Sequence, residues 1–132
     1  MLKDKATEYY KSGFSCAESI IKASIDEGLC PSELLPCATT FSAGMSSGCL
    51  CGAVGASQIV IGYNFGRDNN FNNPVTAREK SAKLIEEFKA KNKVTCCRVL
   101  SSGLEGAAKK EHCTKLVADA AEILEELVGA KV

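Results

Sequence analysis

The stretch Cys51-Gly52-Ala53-Val54-Gly55-Ala56-Ser57-Gln58-Ile59-Val60-Ile61 contains no charged residue and only Ser57 and Gln58 as strongly polar side chains. Wound at 3.6 residues per turn, its apolar residues fall on most sides, and it nowhere alternates with period two. It therefore predicts a helix from Cys51 to about Tyr63 that is buried nearly all round, the centre on which other elements pack. Gly52 and Ala56, four residues apart on one face, allow a neighbour to approach closely.

Outward from this centre the helical period continues in both directions. A first helix is predicted over residues 2 to 12, with Leu2, Ala6, Tyr9 and Tyr10 on one side and Gly13 as its stop. Ser15-Cys16-Ala17-Glu18 reads as a capping box that opens a second helix carrying Ile20, Ile21 and Ile25 to Gly28. Cys30 to Leu50, bounded by Pro31 and Pro36 and loosened by Gly44 and Gly48, reads as a loop with one short helical turn. After the central helix, Asn64 to Asn73 reads as a polar loop. Asn73-Pro74 then opens a helix with Ala77, Leu84, Ile85 and Phe88 as its inner stripe, as N-cap and first helical position. Thr95 is expected to cap a short segment through Leu100. A last helix is predicted from Cys113 or Thr114 to about Val128, with Leu116, Val117, Ala120, Ala121, Leu124, Leu127 and Val128 inward. The expectation is an all-α chain forming one domain over residues 1–132, an irregular bundle of about five helices.

A chain of 132 residues buries enough surface for a self-sufficient core, so disulfide staples are not required for folding. Sixteen basic and sixteen acidic residues cancel, and no basic stripe exceeds Lys89-Ala90-Lys91-Asn92-Lys93, which argues against a nucleic-acid partner. The start, Met1-Leu2-Lys3-Asp4-Lys5-Ala6, has no apolar signal region, and no run of apolar residues is long enough to span a bilayer. The expected location is the cytoplasm, where thiols stay reduced and abundant cysteine points to metal ligation or redox chemistry.

The eight cysteines, Cys16, Cys30, Cys37, Cys49, Cys51, Cys96, Cys97 and Cys113, include no Cys-x-x-Cys. This argues against a zinc ribbon, a thioredoxin-type site and covalent haem, and any shared site must be assembled by the fold. Cys16, Cys51, Cys96 or Cys97, and Cys113 each fall in or just before the first turn of a different predicted helix, where free N–H groups and the helix dipole favour thiolate. A vicinal disulfide between Cys96 and Cys97 is geometrically awkward, so the two are expected to point to different partners. Cys30 and Cys37 read as structural or auxiliary, and His112 as a surface histidine. Arg98 and Arg67 are candidate positive charges beside an anionic group, with a surface role equally open. No phosphate-binding glycine pattern occurs.

Cys51-Gly52-Ala53-Val54-Gly55-Ala56 resembles the Cys-Gly-Ala-x-x-Gly type motif of the C_GCAxxG_C_C family of redox-active proteins, with the glycine one position earlier. Phe14-Ser15-Cys16-Ala17-Glu18 is similar to the family's upstream cysteine segment, Cys97-Arg98-Val99-Leu100 to its third and Cys113-Thr114-Lys115-Leu116-Val117 to its fourth. The resemblance implies a helical redox protein. A related domain stands beside the haem-binding part of split-Soret cytochromes, where it is associated with an iron-sulfur centre; without Cys-x-x-Cys-His the haem function does not carry over. The expected function is electron transfer or redox sensing through an iron-sulfur cluster held by Cys16, Cys51, Cys97 and Cys113, the four thiolates such centres require. Cys49 and Cys96 are further cofactor-binding candidates. The alternatives are a metal-free thiol-disulfide oxidoreductase, working through Cys49 with Cys51 or Cys97 with Cys113, and a carrier of soft metal or sulfur. A redox partner protein follows from either redox reading. A homodimer is expected to bury the Cys30 to Leu50 loop, whose Leu34, Leu35, Phe41 and Met45 have little polar shielding.

Overall fold

The central helix, α4, spans Gly52–Phe65, and its residues from Gly52 to Ser57 are buried without a break, followed by Val60 and Ile61. A computed structural model describes residues 2–68 and 73–129. Around α4 stand α1 (Leu2–Lys11), α2 (Cys16–Asp26), α5 (Val75–Asn92) and α7 (Gly106–Val128), with α3 (Leu35–Thr39) and α6 (Cys97–Leu100) as short pieces. The protein is all-α: five long helices carry the bundle, and the described residues contain no strand, only an isolated antiparallel bridge between Leu50 and Cys96. No helix among the described residues is long and apolar enough to cross a membrane.

Packing follows the apolar stripes. Helix α4 touches α2, α5 and α7, while α1 lies against α2 and α7. Phe88 and Leu84 of α5 and Val117, Ala120, Ala121, Leu124 and Val128 of α7 are wholly buried in one continuous core. The buried hydroxyls do not break it, because Ser57 donates to the Ala53 carbonyl at 2.8 Å and Ser24 to that of Ile20 at 2.8 Å. The close approach that small residues on α4 allow is seen at Gly52 and also at Gly55, and Ala56 is wholly buried. A Cβ at Gly52 would lie 2.6 Å from the Phe41 carbonyl oxygen, and one at Gly55 would lie 2.7 Å from the Phe41 ring. The loop before α4 is thereby pressed onto the core, and Leu34, Leu35 and Phe41 pack against it within their own chain. Less apolar surface is left on that loop to drive a dimer.

Several boundaries differ from the sequence expectation. The last helix begins at Gly106, about two turns before Cys113. Its first turns have no inward stripe for periodicity to detect, but Ala107, Ala108, Lys109, Lys110 and Glu111 are strong helix formers. Pro74 precedes α5 rather than starting it, while the Asn73 carboxamide oxygen accepts from the Val75 N–H at 2.9 Å. No side chain caps α6, and Cys96, not Thr95, is the residue that precedes it. The Cys30 to Leu50 segment holds a 3₁₀ turn at Ser32–Leu34 and α3. Asn64 lies inside α4, and residues 69–72 of the expected polar loop lie outside the described residues.

Candidate cysteine site

Cys16, Cys51, Cys97 and Cys113 line a single cavity of about 250 Å³, many times the roughly 10–15 Å³ that one water needs. Each wall has a local cause. Ser15 Oγ accepts from the Glu18 N–H at 3.2 Å and the Glu18 carboxylate accepts from the Ser15 N–H at 3.0 Å, so the predicted capping box is present and fixes Cys16 at the first position of α2. That hydrogen bond, with a second from Thr39, holds the Glu18 carboxyl below its usual range. Cys51 immediately precedes α4 and donates its N–H to the Thr95 carbonyl at 2.8 Å, while the Cys97 N–H donates to the carbonyl of Cys49. These two bonds flank the Leu50–Cys96 bridge and tie the Cys51 wall to the Cys97 wall. Cys113 comes from the body of α7, so three of the four thiols sit at helix starts and the fourth does not.

The remaining wall is a left-handed turn. Ala43, Gly44, Met45 and Ser46 have φ of 51°, 63°, 63° and 57°, a conformation that costs each of the three non-glycines about 1–2 kcal/mol. The strain falls where the turn meets the cysteines. The Ala43 N–H bonds the Cys16 sulfur. Gly44 is pressed against Cys97 so closely that a Cβ there would stand 2.5 Å from the Cys97 Cβ and 2.8 Å from the Cys49 nitrogen. At Gly52 a Cβ would meet the Cys16 sulfur at 2.6 Å, so the motif glycine after Cys51 is the space that lets Cys16 in.

Burial dominates the electrostatics. It pushes the Cys51 thiol up to about 12, with neighbouring Cys16 adding to it and the Val54 and Ala53 N–H groups opposing. Burial also raises Cys16, against hydrogen bonds from the Ala43 and Ala17 N–H groups. Cys97 is raised by burial and then by Cys16 and Cys113, with the Lys109 ammonium pulling the other way. The phenol of Tyr10 is driven above its ordinary range, first by burial and then by the neighbouring Cys113. Raised in this way, the Cys16, Cys51 and Cys97 thiols hold their protons at neutral pH; an electrophilic metal would displace them.

The other four cysteines stand outside the cavity. Cys30 is buried and pushed up to about 11 by that burial, while Cys37 and Cys49 are exposed. Cys96 is half-buried, its thiol 3.4 Å from the Gly48 carbonyl. The vicinal pair thus diverges, as expected, with Cys97 inward. All eight thiols are free. His112 lines a separate recess with Lys91, Asn92 and Lys115. Tyr10, Ser42, Ser101 and Lys109 also line the cysteine cavity and were not singled out as site residues from the sequence. Lys109 is four residues before Cys113, on the same face of α7, a spacing that becomes visible only once the helix is started at Gly106.

Four thiols lining one cavity are a donor set of the soft kind that sulfur-loving metals take. Tetrahedral zinc with bonds of about 2.3 Å needs its sulfurs roughly 3.8 Å apart, and among the described residues no three thiols, carboxylates or imidazoles are gathered to hold a single metal ion. The chain matches, over residues 14–127, the model of a protein family described as "Putative redox-active protein (C_GCAxxG_C_C)". No curated protein and no solved structure matches it.

Proposed function

The chain belongs to the C_GCAxxG_C_C family of redox-active proteins, and from that premise we propose that it binds an iron-sulfur cluster through Cys16, Cys51, Cys97 and Cys113 and exchanges electrons with a partner protein. The observation that carries this reading is the convergence of four thiols, from α2, the residue before α4, α6 and α7, on one cavity, the number of thiolates that [2Fe–2S] and [4Fe–4S] centres require. When bound, the cluster supplies the one-electron couple. The chain's own residues set the conditions. Leu100 and Leu116 give the cavity apolar walls, which limits water. The N–H groups of Ala43, Ala17, Ala53 and Val54 favour anionic sulfur at Cys16 and Cys51. Tyr10 neighbours Cys113.

The test is anaerobic purification and reconstitution. Iron and acid-labile sulfide bound together, with visible charge-transfer absorption and a reversible one-electron reduction, are the expected result; their joint absence rejects the reading. A second reading rests on Cys97 and Cys113 sharing the cavity wall, which makes them a candidate dithiol for metal-free exchange. Reversible loss of two protons from that pair, with no iron bound, would select it.

A further inference from the structure

The cysteine cavity opens beside a second, solvent-facing recess of about 300 Å³, a size at the lower end of small-molecule sites. The two share Ala43, Cys97, Ser101 and Lys109, so Cys97 is the one cavity thiol that also faces the outer recess. Arg98 and Lys109 supply two positive charges to its wall, and Ser46 and Ser101 supply hydroxyls; no carboxylate lines it. Among the described residues neither cation is in a salt bridge. Arg98 is held in place: its Nη2 donates to the Ser47 carbonyl at 2.9 Å. Its side chain lies across Gly48, where a Cβ would come 3.1 Å from Nε. That single bond leaves other guanidinium N–H groups able to serve a planar carboxylate.

We propose that this recess binds a small carboxylate-bearing disulfide and presents its sulfur to Cys97. The anionic groups rest on Arg98 and Lys109. The Cys97 sulfur gives up its proton as it forms a bond to the nearer sulfur of the ligand. The ligand's S–S bond breaks and its distal half departs as a thiolate that takes up a proton. The small disulfide is the oxidant, and the product is a mixed disulfide at Cys97 plus one small thiol. This goes beyond the cluster reading and concerns the metal-free chain, in which Cys97 is not engaged by iron; it is assayed in that state, so failure of either leaves the other standing.

The experiment compares dithiobis-nitrobenzoate, a disulfide carrying two carboxylates, with uncharged dithiodipyridine on the reduced full-length chain. Brief modification is mapped by mass spectrometry at Cys97 and at exposed Cys37, which lies in α3 and outside the recess. The charged-to-neutral reagent ratio at Cys97 should exceed that at Cys37 by about fivefold, the sum expected of two solvent-facing ion pairs. Arg98→Gln with Lys109→Gln should bring it to the Cys37 value. Salt should erode the preference in the unaltered protein. Equal ratios at the two cysteines, or a preference that survives both substitutions, would overturn the proposal.

Discussion

Cys96 and Cys97 are neighbours in the chain, yet Cys97 lines the cavity and Cys96 turns toward the Gly48 carbonyl outside it. The same division runs through the whole set: Cys16, Cys51 and Cys113 share the cavity with Cys97, while Cys30, Cys37 and Cys49 do not. The composition around each residue does not separate the two groups. What separates them is the direction in which the backbone turns each side chain. The capping box, the Leu50–Cys96 bridge, the space at Gly52 and the left-handed turn at Gly44 turn Cys16, Cys51 and Cys97 inward, and the body of α7 brings in Cys113. Cys49 and Cys96 share that bridge and turn yet stand outside the cavity, so a cysteine's role here is read from where its side chain is turned, not from its neighbours in sequence.

The largest effect should come from filling the space on which the inner group depends. Gly52→Ala puts a methyl 2.6 Å from both the Cys16 sulfur and the Phe41 carbonyl, and one of these is unyielding backbone. A loss of about 2–3 kcal/mol is expected in chemical denaturation, with failure to form the cofactor site; stability within a few tenths of the parent would break the account of the cavity wall. The pH dependence sharpens the comparison next. The Cys51 thiol, ordinarily near 9, stands at about 12 in the folded chain. Between those values the unfolded chain releases a proton that the folded chain keeps, so the contribution is whole below pH 9 and is lost as pH rises toward 12. Metal-free protein should therefore lose stability on going from about pH 8 to about pH 10.5, and Cys51→Ala should flatten that loss. An unchanged slope would contradict the burial assigned to Cys51.

Smaller effects probe the outer group and the far end of α4. Alkylation of the metal-free protein under native conditions should label exposed Cys37 and Cys49 first and buried Cys51 last; early labelling of Cys51 would mean that the cavity opens readily. Gly62→Ala, ten residues along the same helix as Gly52→Ala, meets nothing within 4 Å. It should raise stability by about 0.5–1 kcal/mol through helix propensity, and a loss there would show that glycines on α4 serve something other than close approach.

Much of the bundle was legible because its helices bury apolar stripes. The uncharged run after Cys51 predicted α4 at the centre, and Ser15 with Glu18 predicted the start of α2 to the residue. Periodicity reports only what faces the core, so it missed Gly106 to His112, which carries Lys109 into the site. Nothing in Ala43, Met45 or Ser46 signals positive φ, a conformation that non-glycine residues adopt against their local preference. The convergence of Cys16, Cys51, Cys97 and Cys113 was anticipated partly for a reason the structure corrects: Cys113 reaches the cavity from mid-helix, its face set by the packing of α7 against α4.

The division between inner and outer cysteines meets its most direct test in iron and acid-labile sulfide bound per chain, measured after anaerobic reconstitution of the eight single Cys→Ser variants. Loss of both at Cys16, Cys51, Cys97 and Cys113, with retention at Cys30, Cys37, Cys49 and Cys96, is the predicted result. Retention at any inner position together with loss at Cys49 or Cys96 would contradict the assignment of the four-thiol cavity as the cluster site.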